Sequence, residues 1–209
     1  MPYSTVAVKN LGLQDYQVTW QAMQDFTQCR NSETQDELWV VEHPSVFTLG
    51  RNGKEEHILG KTNIPIINVD RGGQVTYHGL GQLVIYILID LHRRNLGIRK
   101  LVSIIEDSII KLLEHFHIKA YSDKKAPGVY VNTKKIAALG LRVSKGCTTH
   151  GLSLNIDMDL KPFQQINPCG FKGLKVTQCK NLGIKSNMKV IAEKLTEIII
   201  LKITAAKQL

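Results

Sequence analysis

Between residues 15 and 29 apolar side chains return every three or four positions, at Tyr16, Trp20, Met23 and Phe26, a period that predicts one amphipathic helix. A second stripe, Leu101, Ile104, Ile105, Leu112, Leu113 and Phe116, predicts a helix over residues 99–116. A third helix is expected over about 187–204. The stretches between them read as strands: 5–9, 37–42, 46–49, 64–69, 128–131, 135–143 and 149–156. Residues 83–91 (LVIYILIDL) are almost continuously apolar, as a strand covered on both faces should be. Asn132 and Thr133 fall where a hairpin turn is required. Strands come in runs, with helices at intervals rather than in strict alternation, which predicts an α+β fold: a mixed β-sheet with helices packed on it. No repeat, low-complexity tract or linker divides the chain, so residues 1–209 are expected to form a single domain.

Composition sharpens this picture. At 43% hydrophobic and 22% charged, the chain can bury a real core and is not of the disordered class. No stretch approaches the roughly 18 uninterrupted apolar residues of a membrane span, and the first residues lack a signal-peptide pattern. A cytoplasmic protein with no membrane association is expected. The cysteines at 29, 147, 169 and 179 form no C-x-x-C pair, so no metal site or redox motif is indicated and free thiols are expected. The formal charge is +9, from 27 Lys and Arg against 18 Asp and Glu, which favours acidic partners. Nucleic acid would satisfy that charge. The chain has no basic run, helix-turn-helix pattern or RRM-type aromatic motif, however, and acidic proteins fit equally well.

Three segments carry candidate chemistry. Residues 71–82 read RGGQVTYHGLGQ, with glycines at 72, 73, 79 and 81 that let backbone approach a ligand closely. The segment is neither a Walker A loop nor a dinucleotide fingerprint, since a strand and not a helix follows it. A plain glycine-rich turn remains an equal reading of it. Lys135 precedes the small apolar run Ile136, Ala137, Ala138, Leu139 and Gly140. Partial desolvation there would lower its pKa towards neutrality, while Lys134 faces the other way. Cys169, in INPCGFKGL, stands between Pro168 and Gly170 on a turn that presents the thiol. Cys29 reads as an ordinary helix residue. A presented cysteine, a desolvated lysine and a glycine-rich cradle are what acyl transfer by covalent catalysis requires.

Residues 71–82, KIAALGLRVSKGCTTHGLSLNI (135–156) and DLKPFQQINPCG (159–170) closely resemble the octanoyltransferases of lipoate synthesis. The resemblance runs from about His43 to Val176. It implies a fold like the catalytic domain of biotin and lipoate protein ligases. It also implies transfer of an octanoyl group from octanoyl-acyl carrier protein to a lysine of apo-lipoyl domains, those of 2-oxoacid dehydrogenase E2 subunits and of glycine cleavage H protein. By position, Cys169 matches the acyl-thioester nucleophile and Lys135 the residue that activates it. The substrate-binding segments fall at Arg71, Gly72, Gly73, Gln74, Val75, Thr76, Tyr77 and His78; at Ala138, Leu139 and Gly140; and at Gly151, Leu152 and Ser153. Ala137 joins Ala138, Leu139 and Leu152 as expected lining for the acyl chain. Independently of the resemblance, backbone N–H groups near Gly151 or at the 169–170 turn are options for an oxyanion donor. His43 and His150 are given no proton-transfer role. No cofactor is implied, since the donor's acyl group rides on the carrier's phosphopantetheine. The family usually has proline where this chain has Leu80. Three rival readings are an ATP-dependent lipoate or biotin ligase, a non-catalytic carrier-binding protein and a cysteine hydrolase. The NPCG turn speaks against the first, and the lack of a protease signature around Cys169 against the last.

Overall fold

The computed structural model describes residues 5–206. Along the chain these form β1 (Val6–Leu13), α1 (Tyr16–Gln28), β2 (Asp36–Glu42), β3 (Val46–Leu49), β4 (Ile66–Asn68), β5 (Val75–His78), β6 (Gln82–Leu88), α2 (Ile98–His115), β7 (Tyr121–Ser122), β8 (Gly128–Val131), β9 (Lys134–Ser144), β10 (Cys147–Asn155) and α3 (Met188–Ala206). The fold is α+β, but its strands divide into two sheets rather than one. A seven-stranded sheet runs β1-β2-β6-β10-β9-β8-β7, and a three-stranded sheet runs β4-β3-β5. Each is mixed: β1 pairs parallel with β2 and β3 parallel with β4, while the other pairings are antiparallel.

The apolar run at 83–91 is explained by its place. β6 lies inside the large sheet with every residue buried. Leu83, Ile85 and Ile87 face a core built with Leu101, Ile105, Leu112, Leu195 and Ile199 of α2 and α3. Val84, Tyr86 and Leu88 face the other side, against Trp39 and Met23 of α1. A strand with two covered faces has no position for a polar alternation. α1 is fixed at its start by Asp15, whose carboxylate accepts from the backbone N–H of Gln17 at 2.8 Å and Val18 at 3.1 Å, a cap of about 1 kcal/mol. That cap matters here because Tyr16, the first helical residue, is delivered into the cleft described below.

The glycine-rich segment 71–82 is not one turn. Its middle, Val75–His78, is the edge strand of the small sheet, and its end, Gly79–Gln82, is a tight turn closed by Gln82 N–H to Gly79 C=O at 3.1 Å. Gly81 at φ +84° occupies the third position of that turn, where a left-handed residue is required. The hairpin between β8 and β9 turns at Asn132 and Thr133, at φ +48° and +66°, the paired left-handed residues of a tight two-residue turn. β7 was not expected from the sequence; two residues long, it carries too little pattern to be read. Among the described residues no helix is long and apolar enough to cross a membrane.

Candidate active site

Lys135 and Cys169, 34 residues apart, meet with Nζ 3.0 Å from Sγ. β9 brings the lysine and a short helical turn at Pro168–Gly170 brings the cysteine. The strand-like stretch 175–177 binds the two together: Lys135 N–H donates to Lys175 C=O and Thr177 N–H to Lys135 C=O, each at 2.9 Å. The turn is anchored on its other side by Asn167 N–H to His57 C=O at 2.8 Å. Cys169 has φ +57° and ψ +19°, a left-handed conformation that costs a non-glycine residue about 1–3 kcal/mol and persists only where its surroundings enforce it. Pro168 before it and Gly170 after it at φ +81° enforce it here.

Lys135 is only 3% exposed. Its ammonium also donates to Pro127 C=O at 3.0 Å and stands 5.2 Å above the Tyr130 ring. Gly128 leaves room for it: a Cβ there would lie 2.8 Å from Lys135 Cε and 2.7 Å from Ala137 O. Two effects act on the lysine's pKa in opposite directions. Burial does push it down, but the facing Cys169 sulfur and the Tyr130 phenol outweigh burial and hold it above its ordinary value. Lys135 is therefore an ammonium at neutral pH and faces the Cys169 sulfur directly.

From Cys169 a narrow cleft of about 470 Å³ runs over the large sheet. Its floor follows the strand register: Ser153 lies opposite Ala138 and Val84, and two residues further on Gly151 lies opposite Gly140 and Tyr86. Arg71, Gly73, Gln74, Val75, Thr76 and His78 form its other wall, and Leu139 and Leu152 also line it. Ala137 instead borders a smaller cavity on the lysine side of Cys169, with Thr76 and Phe163. Two expected binding residues lie outside the cleft. Gly72 ties its loop to β9 by N–H to Leu141 C=O at 3.0 Å. Tyr77 packs between Phe47 and Phe163 and shares a hydrogen bond with Ser45 at 2.9 Å. Alternation along β5 turns Tyr77 away from the face that carries Thr76 and His78. The Gly170 N–H is held by Asn167 C=O at 2.9 Å.

Arg71 is fully enclosed. Its guanidinium donates to Thr48 C=O at 2.7 Å, Gln74 C=O at 2.9 Å and Gly72 C=O at 2.9 Å, so it shapes the 71–74 loop from within.

The end of the cleft away from Cys169 is a buried polar cluster, of which the sequence motifs had marked only the histidines His43, His78 and His150. Tyr16 stacks on His78 at 5.6 Å and lies 5.0 Å from His43, whose Nε2 meets the Tyr86 hydroxyl at 2.6 Å. His150 Nε2 donates to Asp70 at 2.8 Å; Asp70 also accepts from Trp20 at 2.9 Å and pairs with Arg142 at 2.9 Å. Burial pushes His78 down to about 3 and lowers His43 and His150, so all three imidazoles are neutral at pH 7. Burial likewise lifts Tyr16 to about 12, and the His150 hydrogen bond holds Asp70 at about 2. Tyr16, Tyr86 and Asp70 were missed: the tyrosines are single aromatics on a helix and a strand, and Asp70 lies in the loop after β4 with no local mark of its partners. Among the described residues no group of three or more His, Cys, Asp or Glu side chains is arranged to hold a metal ion.

Residues 15–200 match the family model of the lipoyl protein ligase A/B catalytic domain. The chain is 57% identical over 197 residues to an octanoyltransferase of Shewanella frigidimarina, covering 94% of this chain and 91% of that one. Among solved structures it is similar to lipoate-protein ligase A bound with ATP, with a TM-score of 0.77 at 13% identity, covering 94% and 84% of the two chains. It is also similar to biotin protein ligase from Aquifex aeolicus, with a TM-score of 0.58 at 13% identity, covering 97% and 70%.

Proposed function

The chain belongs to the lipoyl protein ligase A/B catalytic-domain family and within it to the octanoyltransferases, acyltransferases of lipoate biosynthesis, and from that premise we propose that it works through a Cys169 thioester. The donor is octanoyl-acyl carrier protein. The acceptor is a lysine of apo-lipoyl domains, those of 2-oxoacid dehydrogenase E2 subunits and of glycine cleavage H protein, in the cytoplasm. No cofactor takes part. The observation that carries this reading is the 3.0 Å contact between Lys135 Nζ and Cys169 Sγ at one end of the cleft. A ligase on this fold would activate a free acid with nucleotide and would have no use for a thiolate held by an ammonium.

The protons balance with these two residues alone. The Cys169 thiolate attacks the octanoyl carbonyl carbon, and the bond from that carbon to the carrier's sulfur breaks. The leaving sulfur takes a proton from the Lys135 ammonium. The acceptor amine, arriving neutral, attacks the new thioester and loses a proton to Lys135 as Cys169 departs, which restores the ammonium–thiolate pair. One residue serves as acid in the first half and base in the second. The acyl chain lies along Ala138, Leu139, Leu152 and Val84, each buried CH₂ contributing about 0.8 kcal/mol.

Intact-mass spectrometry of the protein with octanoyl-carrier protein tests this directly. One octanoyl added to the native chain, absent in Cys169→Ser and discharged onto apo-lipoyl domain, is the expected result. Transfer that proceeds in Cys169→Ser would overturn the covalent route.

A further inference from the structure

A thioester donor has two halves, and the cleft accounts only for the acyl half. A second groove, of about 970 Å³, lies between the β7–β8 edge and the 171–175 loop and shares no lining residue with the cleft. Its walls are aromatic: Tyr121 and Phe171 are 46% and 44% exposed, and Tyr121 stacks on Tyr130 at 5.7 Å. It borders the reacting pair, because its Tyr130 wall is the ring against Lys135 Nζ and the backbone carbonyl of Lys175 holds Lys135 N–H.

The chain segments that border this groove are strongly basic, and Lys172 and Lys175 stand in its lining beside Asp123. Residues 119–135 and 168–175 hold seven lysines against one aspartate, a net +6 of the chain's +9. All but Lys135 are exposed: Lys119, Lys124, Lys125, Lys134, Lys172 and Lys175. No described carboxylate pairs with any of the six. Lys172 and Lys175 line the groove with two exposed aromatic rings, and four further unpaired lysines stand on the segments that border it, a basic trench for a long chain that carries an anion, next to an acidic surface.

Resting on the transferase reading above, we propose that this groove receives the phosphopantetheine arm of the acyl carrier protein, with the arm's amides and methylenes along Tyr121 and Phe171 and its phosphate and the carrier's acidic face on the lysines. An acceptor lysine is a poorer occupant. It is short and bears no anion, so it needs neither the length of the trench nor its charge.

The test uses full-length protein carrying Cys169→Ala, so that nothing turns over, and fluorescence anisotropy of labelled carrier protein with and without its phosphopantetheine arm. The arm-bearing form is expected to bind more tightly than the bare one. Lys172→Glu/Lys175→Glu and, independently, Lys124→Glu/Lys125→Glu are each expected to weaken it by about tenfold or more while binding of apo-lipoyl domain stays unchanged. Equal binding of the two carrier forms, no effect of either double variant, or a loss confined to the lipoyl domain would overturn the assignment. This readout holds whether or not Cys169 is ever acylated, so a failure of the transferase reading shows separately, as absence of the octanoyl adduct in the native protein.

Discussion

Lys135 and His78 stand at opposite ends of the site and are buried almost equally, 3% and 7% exposed. Their protonation nonetheless goes opposite ways. Burial pushes both towards the neutral form, but Lys135 faces a sulfur that can carry negative charge and stays an ammonium. His78 faces the amide of Gln82 and the hydroxyl of Thr48, with His43 and Arg71 nearby, and is driven down to about 3. Depth alone does not set the charge of a buried base; the group opposite it does. The reacting end keeps a charged lysine, while the far end is kept neutral although it is polar.

The sharpest way to break this contrast is to remove the charge at the reacting end. Lys135→Ala should slow formation and discharge of the acyl-enzyme by about 10²–10⁴-fold, the usual worth of a positioned acid–base group, as read by single-turnover mass spectrometry. Both half-reactions should suffer, and a loss in only one would show that a second group shares the proton.

The neutral end is probed through pH. The folded His78 pKa lies below that of the unfolded chain, about 6.5. As pH falls below 6.5 the unfolded state therefore binds the extra proton and folding stability declines, by about 1.4 kcal/mol per pH unit for this residue until about pH 3. His78→Gln should flatten unfolding free energy against pH by that slope between pH 6.5 and 5, measured by denaturant titration. An unchanged slope would mean that His78 is charged in the native state.

The smallest expected effect is a control beside His78. Leu80 is 59% exposed and occupies the second position of the turn closed by Gln82 N–H to Gly79 C=O, followed by Gly81 at φ +84°. Proline is favoured there, so Leu80→Pro should add about 0.4–1 kcal/mol of stability and leave transfer untouched. A changed transfer rate would show that the turn does more than close β5 onto β6.

Much of this was legible beforehand. Helix α1 came within a residue at each end because an apolar side chain every turn leaves few alternatives, and Val46–Leu49 and Gly128–Val131 coincide with their strands. The segments around Lys135 and Cys169 stood out through small residues and a Pro-Cys-Gly turn. Tyr16 and Tyr86 did not, because one aromatic among many on a helix or strand carries no local mark of what it will face, and neither did Asp70, one loop carboxylate among many.

The sequence by itself determined the elements, the two-faced burial of β6 and the segments rich enough in glycine, lysine or cysteine to hold chemistry, because these follow from period and backbone preference, which are local. Only the tertiary structure decided that the strands split into two sheets, that Tyr77 turns away while Tyr16 turns in, and that Lys135 is charged. Those outcomes depend on which group stands opposite across a gap of a few ångströms, and residues 34 apart in the chain become such neighbours only when β9 and the 168–170 turn are packed together.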